Sequence, residues 1–542
     1  MIREMIRQQI RRVLEDKFDV PLPDVGVELS DNFLHGDYAS SVAFGIAKTL
    51  NRKPQEIAEE ISSELKKHTD VFLSVEPVSG FINFRLASSL LYKELGEIMT
   101  RGEEYGASDF HKGQRARVEY ISANPTGPLH IGNARGGPLG ETIAKSLEKI
   151  GYEVLREYYH NDSGTQVEKM GETLWYWYEK LQGKETEFPE GGYKGDYLKE
   201  LGEAALETHG KEMSRDVLTQ FALDSIYKEN FETIKKMGIR FDSFVKESEL
   251  LQSGKTMAVV EKLKELGMAK EQEGALWFAP GDEFLGDREA VLVRSSGQPT
   301  YFASDAAYHM EKFTSGYDLV VTVLGSNHHG HIPKLQAIAR ASGFALENFQ
   351  VPLYQYVRVK RGDEVLKMSK RAGTYVTAKE VLDEVGPDAF IFFLLMSAPN
   401  THMDFDLELA KEQSQKNPVY YIQYAHARCA SILKKAEESG LKPLNLETLN
   451  FSFLKEPEEL SIIKKMIQFP EVVEDTAHDF QVQRLPHYAL ELARIFHNFY
   501  EKHRVITESE DLTIARLNLV VAIQKILKGT LRLMGVEAPE VM

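Results

Sequence analysis

Residues 117–159 alternate between the two kinds of regular secondary structure in an order that few folds accommodate. Residues 117–121 are rich in strand-forming side chains, residues 125–128 form a turn-rich loop, and apolar residues at helical spacing follow until Gly151. Residues 152–159 are then a second strand-like segment. A strand, a helix and a second strand in this order form a parallel pair. The sequence therefore predicts an α/β domain built on a parallel sheet.

The rest of the chain divides into domains around this unit. Residues 1–110 alternate helical patterns with short strand-like runs and predict an α+β domain. Residues 111–412 hold the parallel-sheet domain, which is interrupted by a mostly helical insertion at about 165–265. It continues with a strand-like run at 289–294 and an apolar run at 317–324. Strand signals then end, and residues 413–542 predict an all-α helical bundle. At roughly 150 residues per domain, this division suits the length of the chain.

Composition excludes several classes of protein. The 65 basic and 82 acidic residues give a net charge of −17, so any contact with nucleic acid must use local basic patches. No apolar run approaches the length of a membrane span, and a single cysteine excludes an internal disulfide. The arginine-rich amphipathic start would suit a transit peptide, but its acidic residues favour a helix packed on its own domain. We expect a cytoplasmic protein with no membrane partner.

The loop between the first strand and the helix contains residues suited to holding a nucleotide. Gly127 and Gly132 allow close approach of the backbone, and the ring of His130 can donate to a phosphate oxygen. The N-terminus of the next helix favours an anion, and ligands of open parallel sheets bind at this position. A loop histidine is more often a plain surface residue, so this loop alone defines only a candidate site.

A second basic segment lies at residues 367–371, with the sequence Lys-Met-Ser-Lys-Arg. Three cations within five residues suit a triphosphate whose charge grows as pyrophosphate leaves. A solvated basic turn explains the same residues equally well. Just beyond this segment, Thr377 and Glu380 predict a capping box for a helix that ends at Gly386.

The two segments occur in the order and domain context of the class I aminoacyl-tRNA synthetases. The wider match resembles the arginyl-tRNA synthetases of the bacterial type, and it covers the chain from end to end. The resemblance rests on the motifs at residues 122–135, 156–162, 300–305, 325–330 and 417–428. It implies a Rossmann-like catalytic domain at 111–412, an N-terminal additional domain at 1–110 that contacts the tRNA elbow, and an anticodon-binding domain at 413–542.

The resemblance also implies roles for individual residues. Glu119 and Asp305 would bind the guanidinium group, whose planar fork of donors pairs best with carboxylates. Tyr301 would contact the same group, and Asn124 would hold the amino-acid end of arginine. The implied catalytic residues are His130, Asn133, Lys367 and Lys370. The implied ATP-binding residues are Gly127, His130, Gly132, Asn133, His328, His329, Lys367, Met368, Ser369, Lys370 and Arg371.

This chain departs from the usual family pattern in the first signature, the segment at residues 130–133. That segment usually ends in a second histidine, whereas Asn133 stands there in this sequence. Asparagine keeps a hydrogen-bond donor for ATP but lacks the imidazole. Many arginyl enzymes also lack the lysine of the second signature, whereas this chain keeps Lys367 and Lys370 in the segment at 367–371.

The implied activity is the ATP-dependent joining of L-arginine to tRNA(Arg), with Mg²⁺ accompanying ATP. We expect no tightly bound cofactor, no protein-bound metal and a monomeric protein. His328, His329 and His331 could suggest a metal site, but no thiolate or suitably spaced carboxylate accompanies them. Three alternatives are a glutamyl-tRNA synthetase, which needs a basic pocket, a small-molecule adenylyltransferase, which needs no helical C-terminal domain, and an RNA-binding paralogue without activity.

Overall fold

The computed structural model describes residues 1–18, 20–21, 23–30, 36–281, 289–366, 376–441 and 450–542. Among these residues, no helix combines the length and the apolar character that crossing a lipid bilayer requires.

The N-terminal unit is an antiparallel four-stranded sheet with helices packed against it, in the strand order β1-β2-β4-β3. The first helix buries Ile2, Ile6 and Ile10 on one face, as its amphipathic spacing predicts. In chain order the elements are α1 (Ile2–Lys17), β1 (Val27–Leu29), β2 (Tyr38–Ser40), α2 (Val42–Leu50), α3 (Pro54–Leu65), β3 (Phe72–Val78), β4 (Phe81–Leu86) and α4 (Ser88–Arg101).

The central unit contains the predicted parallel sheet. Its elements begin with β5 (Arg115–Glu119), α5 (Ile131–Ala134), α6 (Gly136–Lys149), β6 (Glu153–His160), α7 (Thr165–Leu181), α8 (Tyr197–His209), α9 (Arg215–Lys236), β7 (Ser243–Lys246), α10 (Glu247–Gln252) and α11 (Lys255–Glu265). They continue with β8 (Ala269–Gln272), β9 (Ala275–Phe278), β10 (Ala290–Val293), α12 (Tyr301–Thr314), β11 (Leu319–Thr322), β12 (Leu324–Gly325), α13 (Ile332–Ala341), β13 (Phe349–Gln350), β14 (Leu353–Tyr354), β15 (Val357–Arg361), β16 (Glu364–Val365), α14 (Ala378–Val385), α15 (Pro387–Leu395), β17 (Met403–Asp406) and α16 (Leu407–Lys411).

The order of the parallel sheet, β13-β11-β5-β6-β7, locates the binding crevice. From β5 the chain proceeds outward through β6 to β7, and it then returns to the other side of β5 with β11 and β13. The order therefore reverses between β5 and β11, and ligands of such sheets bind outside the carboxyl ends of the strands at that reversal. This architecture confirms the predicted fold class.

Two features of the central unit were not indicated by the sequence. Strand β7 lies inside the predicted insertion at 165–265, yet it pairs in parallel with β6 at the sheet edge. A separate antiparallel sheet also precedes α12; its strands β8 and β9 were not indicated, whereas β10 coincides with the strand-like run predicted at 289–294. Both involve four-residue strands, which are too short for a clear alternating pattern. Helices α7, α8 and α9 form a hydrophobic core of their own beside the sheet.

The C-terminal unit is the predicted helical bundle. Its helices are α17 (Pro418–Glu438), α18 (Pro457–Met466), α19 (Phe469–Asp479), α20 (Arg484–Lys502) and α21 (Glu510–Met534). Cys429 is buried within α17, as expected for a small apolar core residue.

The N-terminal unit and the helical bundle are joined by a buried cluster of charged groups. The two outer nitrogens of Arg3 donate to the carboxylate of Asp475, and the backbone N–H of Arg3 donates to Glu471 at 2.7 Å. Tyr38 donates to the other oxygen of Glu471 at 3.0 Å. Burial raises the pKa of Glu471 to about 7, although the nearby Arg3 opposes the shift. The first and the last domains of the chain are therefore in direct contact.

Helix α6 approaches the sheet closely at Gly140. A Cβ atom added there would lie far inside van der Waals contact with Cβ and Cγ of Tyr120, the residue that follows β5. Tyr120 is buried, and its hydroxyl donates to Glu141 at 2.7 Å. The tyrosine cannot give way without losing this bond, so position 140 requires glycine.

We expect Gly140→Ala to lower the free energy of unfolding of the central unit by about 1–3 kcal/mol through overpacking. Gly96→Ala is the matched control, because Gly96 also lies in a helix and an added Cβ meets nothing within 4 Å. It should raise stability by about 0.5–1 kcal/mol, because alanine is the better helix former. Thermal unfolding midpoints of the two variants measure the difference, and equal midpoints would contradict the close approach.

Candidate active site

A cavity of about 500 Å³ opens at the reversal point of the parallel sheet. Its walls are the loop after β5, the start of α5, helix α12 and the short 3₁₀ helix Ser326–His331. The sequence-predicted residues that line it are Glu119, Asn124, Gly127, His130, Asn133, Tyr301, Asp305 and His328. Residues separated by more than 200 positions in the chain thus converge on one cavity.

Two of the predicted site residues do not line the cavity, and a further five lie outside the part of the chain that the structure describes. Gly132 does not line the cavity, although an added Cβ there would lie 3.1 Å from the ring of His130. His329 is exposed and points away, whereas His328 and His331 of the same 3₁₀ helix line the wall. Lys367, Met368, Ser369, Lys370 and Arg371 lie outside the described residues.

The loop after β5 begins with an unfavourable backbone conformation. Ile121 and Ser122 have φ values of 66° and 39°, a left-handed region that a β-branched residue such as isoleucine rarely adopts. The N–H of Ser122 bonds to the carbonyl of Tyr120 at 2.9 Å, which closes the turn. The Ser122 hydroxyl donates to Glu119 at 2.8 Å and accepts from the N–H of Tyr159 at 3.1 Å. These bonds hold the turn and fix the Glu119 carboxylate at the cavity wall.

Asn124 is oriented by two amide neighbours. Its side-chain oxygen accepts from Asn161 at 2.9 Å, and its nitrogen donates to Gln166 at 2.8 Å. Asn161 and Gln166 also line the cavity. The three amides form a polar wall that can bind the amino and carboxylate groups of an amino acid.

His130 caps helix α5 and has a defined tautomer. Its Nδ1 accepts the backbone N–H of Asn133 at 3.1 Å, so the ring proton of the neutral imidazole is on Nε2. Nε2 is therefore a hydrogen-bond donor, which suits a phosphate oxygen.

The first signature is bonded directly to the segment that follows the second signature. His130 and Thr377 form an antiparallel bridge, and the N–H of Ala378 donates to the carbonyl of Leu129 at 2.7 Å. Thr377 and Glu380 form the predicted capping box at the start of α14. The chain that follows residues 367–375 is therefore anchored beside His130.

The cavity contains two acidic groups that remain ionised near neutral pH. Glu119 and Asp305 are buried, which by itself raises their pKa, but nearby basic groups outweigh burial and lower the pKa of both. For Glu119 the largest lowering effect comes from Lys312, and for Asp305 it comes from His309, whose Nδ1 lies 3.0 Å from Oδ1. Such a pair of carboxylates suits a cationic ligand.

A third buried acid near the cavity gave no signal in the sequence. Glu247, at the start of α10, is 3% exposed, and its Oε2 has no hydrogen-bond partner among the described residues. Burial raises its pKa to about 7, with the charges of Asp162 and Asp305 adding to the shift. Its setting in the polar segment Lys-Glu-Ser-Glu resembles an ordinary surface turn. Lys312 was overlooked for the same reason, since it follows Met-Glu in a helix of mixed composition.

A parallel sheet with its crevice at β5 and β11, and a His-x-Gly loop bridged to the segment at 376–378, define a class I aminoacyl-tRNA synthetase. The protein-family model for the class I (R) tRNA synthetase catalytic domain matches residues 94–391. The arginyl-tRNA synthetase N-terminal domain matches residues 1–86, and the DALR anticodon-binding domain matches residues 422–542.

Individual relatives agree with the domain matches. The chain is 41% identical over 530 residues to the arginine–tRNA ligase of a Geobacter species, covering 96% of this chain and 95% of that protein. It is 39% identical over 556 residues to that of Syntrophotalea carbinolica, covering both chains completely. The Thermus thermophilus arginyl-tRNA synthetase shares the fold, with a TM-score of 0.78, 24% identity and complete coverage of both chains. The chain belongs to the arginyl-tRNA synthetase family, whose activity is the charging of tRNA(Arg) with arginine.

The raised pKa of Glu247 predicts how stability depends on pH. A carboxyl group with a raised pKa binds its proton more tightly in the folded state, so its contribution is lost as pH rises from about 4.5 to about 7. The full shift corresponds to about 3 kcal/mol. Glu247→Gln should remove this loss, and its thermal midpoint should fall less than that of the unaltered protein between pH 5 and pH 8. Glu249→Gln, at an exposed position on the same helix, is the control. If the thermal midpoints of all three proteins change with pH in the same way, the raised pKa of Glu247 is contradicted.

Proposed function

We propose that this cavity activates L-arginine with Mg-ATP and transfers it to the terminal 2′-hydroxyl of tRNA(Arg). The arginine carboxylate attacks the α-phosphate in line, forming arginyl-adenylate and releasing pyrophosphate. The 2′-hydroxyl then attacks the activated carbonyl and AMP leaves. The observation that supports this reaction best is the presence of two ionised, buried acids in the same cavity as His130.

The acids define the amino-acid end of the cavity. Asp305 and Glu119 bind the guanidinium group, with the Tyr301 hydroxyl beside them. Asn124, held by its two amide partners, binds the amino and carboxylate groups at the other end. A basic pocket, as a glutamyl enzyme requires, is not formed by these residues.

The nucleotide end lies at the start of α5. Nε2 of His130, the side chain of Asn133 and the backbone at Gly127 bind ATP, with His328 on the opposite wall. The amide of Asn133 replaces an imidazole as a donor. Lys367 and Lys370 of the second signature neutralise the leaving pyrophosphate, in agreement with the anchoring of the next segment beside His130. The reaction needs positioning and electrostatics and no covalent enzyme intermediate.

The terminal domains, residues 1–110 and 413–542, bind the tRNA. On α17 the rings of Tyr420 and Tyr424 are parallel at 6.4 Å, and the Arg428 guanidinium lies 4.7 Å from the rings of both Tyr424 and Tyr500. These side chains are partly exposed. Stacked aromatic and guanidinium planes suit unpaired RNA bases, which supports an anticodon-reading role for this helix.

The proposed reaction takes place in the cytoplasm and is carried out by a monomeric protein. Mg²⁺ enters with ATP as part of the substrate. The buried state of Cys429 is compatible with a reducing compartment. Light scattering of the purified protein, alone and with tRNA, tests the monomer.

Amino-acid-dependent pyrophosphate exchange tests the reaction itself. Among the standard amino acids, arginine alone should support exchange, and glutamate should not. The assay is run without RNA, with intact tRNA, and with tRNA that lacks the terminal adenosine. If tRNA binding assembles the site around residues 367–371, only intact tRNA gives full exchange. Exchange driven by another amino acid would overturn the proposed substrate, and exchange without RNA would overturn only the tRNA dependence.

Asp305→Asn tests the guanidinium pocket, because it keeps the shape of the side chain and removes the charge. The loss of a hydrogen bond to a charged group costs about 1.5–3 kcal/mol, so kcat/KM for arginine should fall roughly 10- to 150-fold while ATP affinity stays nearly constant. Asp383→Asn is the control, since Asp383 pairs with Lys236 at the surface away from the cavity. Unchanged arginine kinetics in Asp305→Asn would show that the guanidinium binds elsewhere.

A further inference from the structure

Beneath the arginine end of the cavity lies a buried layer of four charged side chains. Arg117 and Glu119 come from β5, Glu157 comes from β6, and Lys312 comes from α12. All four are at most 5% exposed, and Lys312 and Glu157 are completely buried. Burial of this many charges is costly unless each has a partner, so the pairing within the layer decides what charge reaches the cavity.

Glu157 is fully engaged by groups other than Lys312. Arg117 donates to both of its oxygens, Tyr308 donates to Oε1 at 2.6 Å, and Ser243 donates to Oε2 at 3.2 Å. The Lys312 ammonium is 4.0 Å from Oε1, beyond hydrogen-bonding distance. Arg117 and Glu157 therefore form a closed neutral pair.

Lys312 is committed to Glu119. Its ammonium donates to Oε2 of Glu119 and to the Thr322 hydroxyl at 3.2 Å, and it lies 4.3 Å from the centre of the Tyr308 ring. The other Glu119 oxygen accepts from Ser122, and Glu119 lines the cavity. The two oxygens of this carboxylate are thus held by different groups, one by a fixed cation and the other by a hydroxyl.

His309 is the neighbour of the other acid, Asp305. Its Nδ1 is within 3.0 Å of both the backbone carbonyl and a carboxylate oxygen of Asp305, so this nitrogen carries a proton. Its Nε2 is buried and has no hydrogen-bond partner among the described residues. His309 therefore contacts Asp305, whereas Lys312 contacts Glu119.

We propose that Lys312 is a positioning residue that sets the charge of the arginine pocket. Glu119 and Asp305 contribute two negative charges and Lys312 contributes one positive charge, so these three groups together carry a net charge of −1 that one guanidinium neutralises. Lys312 also holds Glu119 ionised and oriented without touching the substrate. The inference rests on the proposed arginine pocket and adds how its charge is set.

The pair of Glu119 and Lys312 can be tested by exchanging charges for neutral groups of similar size. Glu119→Gln alone leaves Lys312 unopposed and brings the net charge of the three groups to zero, so kcat/KM for arginine should fall at least about 100-fold. Adding Lys312→Met restores the charge of −1, and the double variant should recover at least about 10-fold relative to Glu119→Gln. The double variant buries no unpaired charge, so it should also fold. A double variant no better than Glu119→Gln would overturn the inference.

The pH dependence of arginine-dependent pyrophosphate exchange provides a second measurement. Lys312→Met alone leaves Glu119 buried without a cation, which raises the pKa of this carboxyl group. Its kcat/KM for arginine should therefore decline between pH 8.5 and 6.5, whereas the unaltered protein and Lys312→Arg should stay level. Lys465→Met, which removes the ion pair between the buried Lys465 and the exposed Glu491 in the helical bundle, controls for loss of stability. A level profile for a folded Lys312→Met would contradict the role of Lys312.

The pH dependence of kcat/KM also reflects the other ionisable groups around Glu119 and Asp305. Those groups are Arg117, Glu157, Tyr159, Asp162, Glu247, Tyr301, Tyr308, His309 and His331. All of them are retained in Lys312→Met, so only a change specific to the variant counts. If Asp305→Asn leaves arginine kinetics unchanged, the pocket itself is wrong. If Asp305→Asn is impaired but the double variant shows no recovery, only the role of Lys312 is wrong.

Discussion

The structure of the active site depends on the neutralisation of charges that have no access to water. Arg117, Glu119 and Glu157 lie on the adjacent strands β5 and β6, and Lys312 lies on α12. A buried ion pair is tolerated when its geometry is good and the remaining hydrogen bonds are made, whereas one unpaired member destabilises the fold strongly. The positions of β5, β6 and α12 are therefore tied together by the same groups that define the pocket.

The sequence predicted the fold well where long-range patterns are strong. The parallel sheet, the two flanking domains and the capping box at Thr377 follow from hydrophobic periodicity and local hydrogen bonding. Strands β7, β8 and β9 could not be predicted in this way, because four residues do not establish a period. Strand β7 is held by pairing with β6, which is distant in the chain, whereas β8 and β9 form a hairpin that also pairs with β10.

For the candidate site, the sequence indicated residues within recognisable motifs and missed those outside them. Glu119, Asn124, His130 and Asp305 converge on the cavity because their motifs follow strands or lie on α12. Lys312 and Glu247 are ordinary charged residues in the sequence, and their importance comes from burial alone. His329 is the opposite case, a residue within a motif that does not belong to the site. It lies beside His328 in the same 3₁₀ helix, but it is exposed and does not line the cavity. Burial and side-chain direction are tertiary properties that a local pattern does not contain.

The contact between Arg3 and α19 has a consequence for synthesis of the protein on the ribosome. Arg3 and Glu471 are separated by 468 positions, so nearly the whole chain must be translated before this partner exists. At roughly 5 to 20 residues per second, the wait is roughly 25 to 90 seconds. During that time Arg3 and Tyr38 have not yet met the carboxylate that bonds to both in the folded protein. The seam between the first and the last domains is therefore among the last contacts of the chain to form.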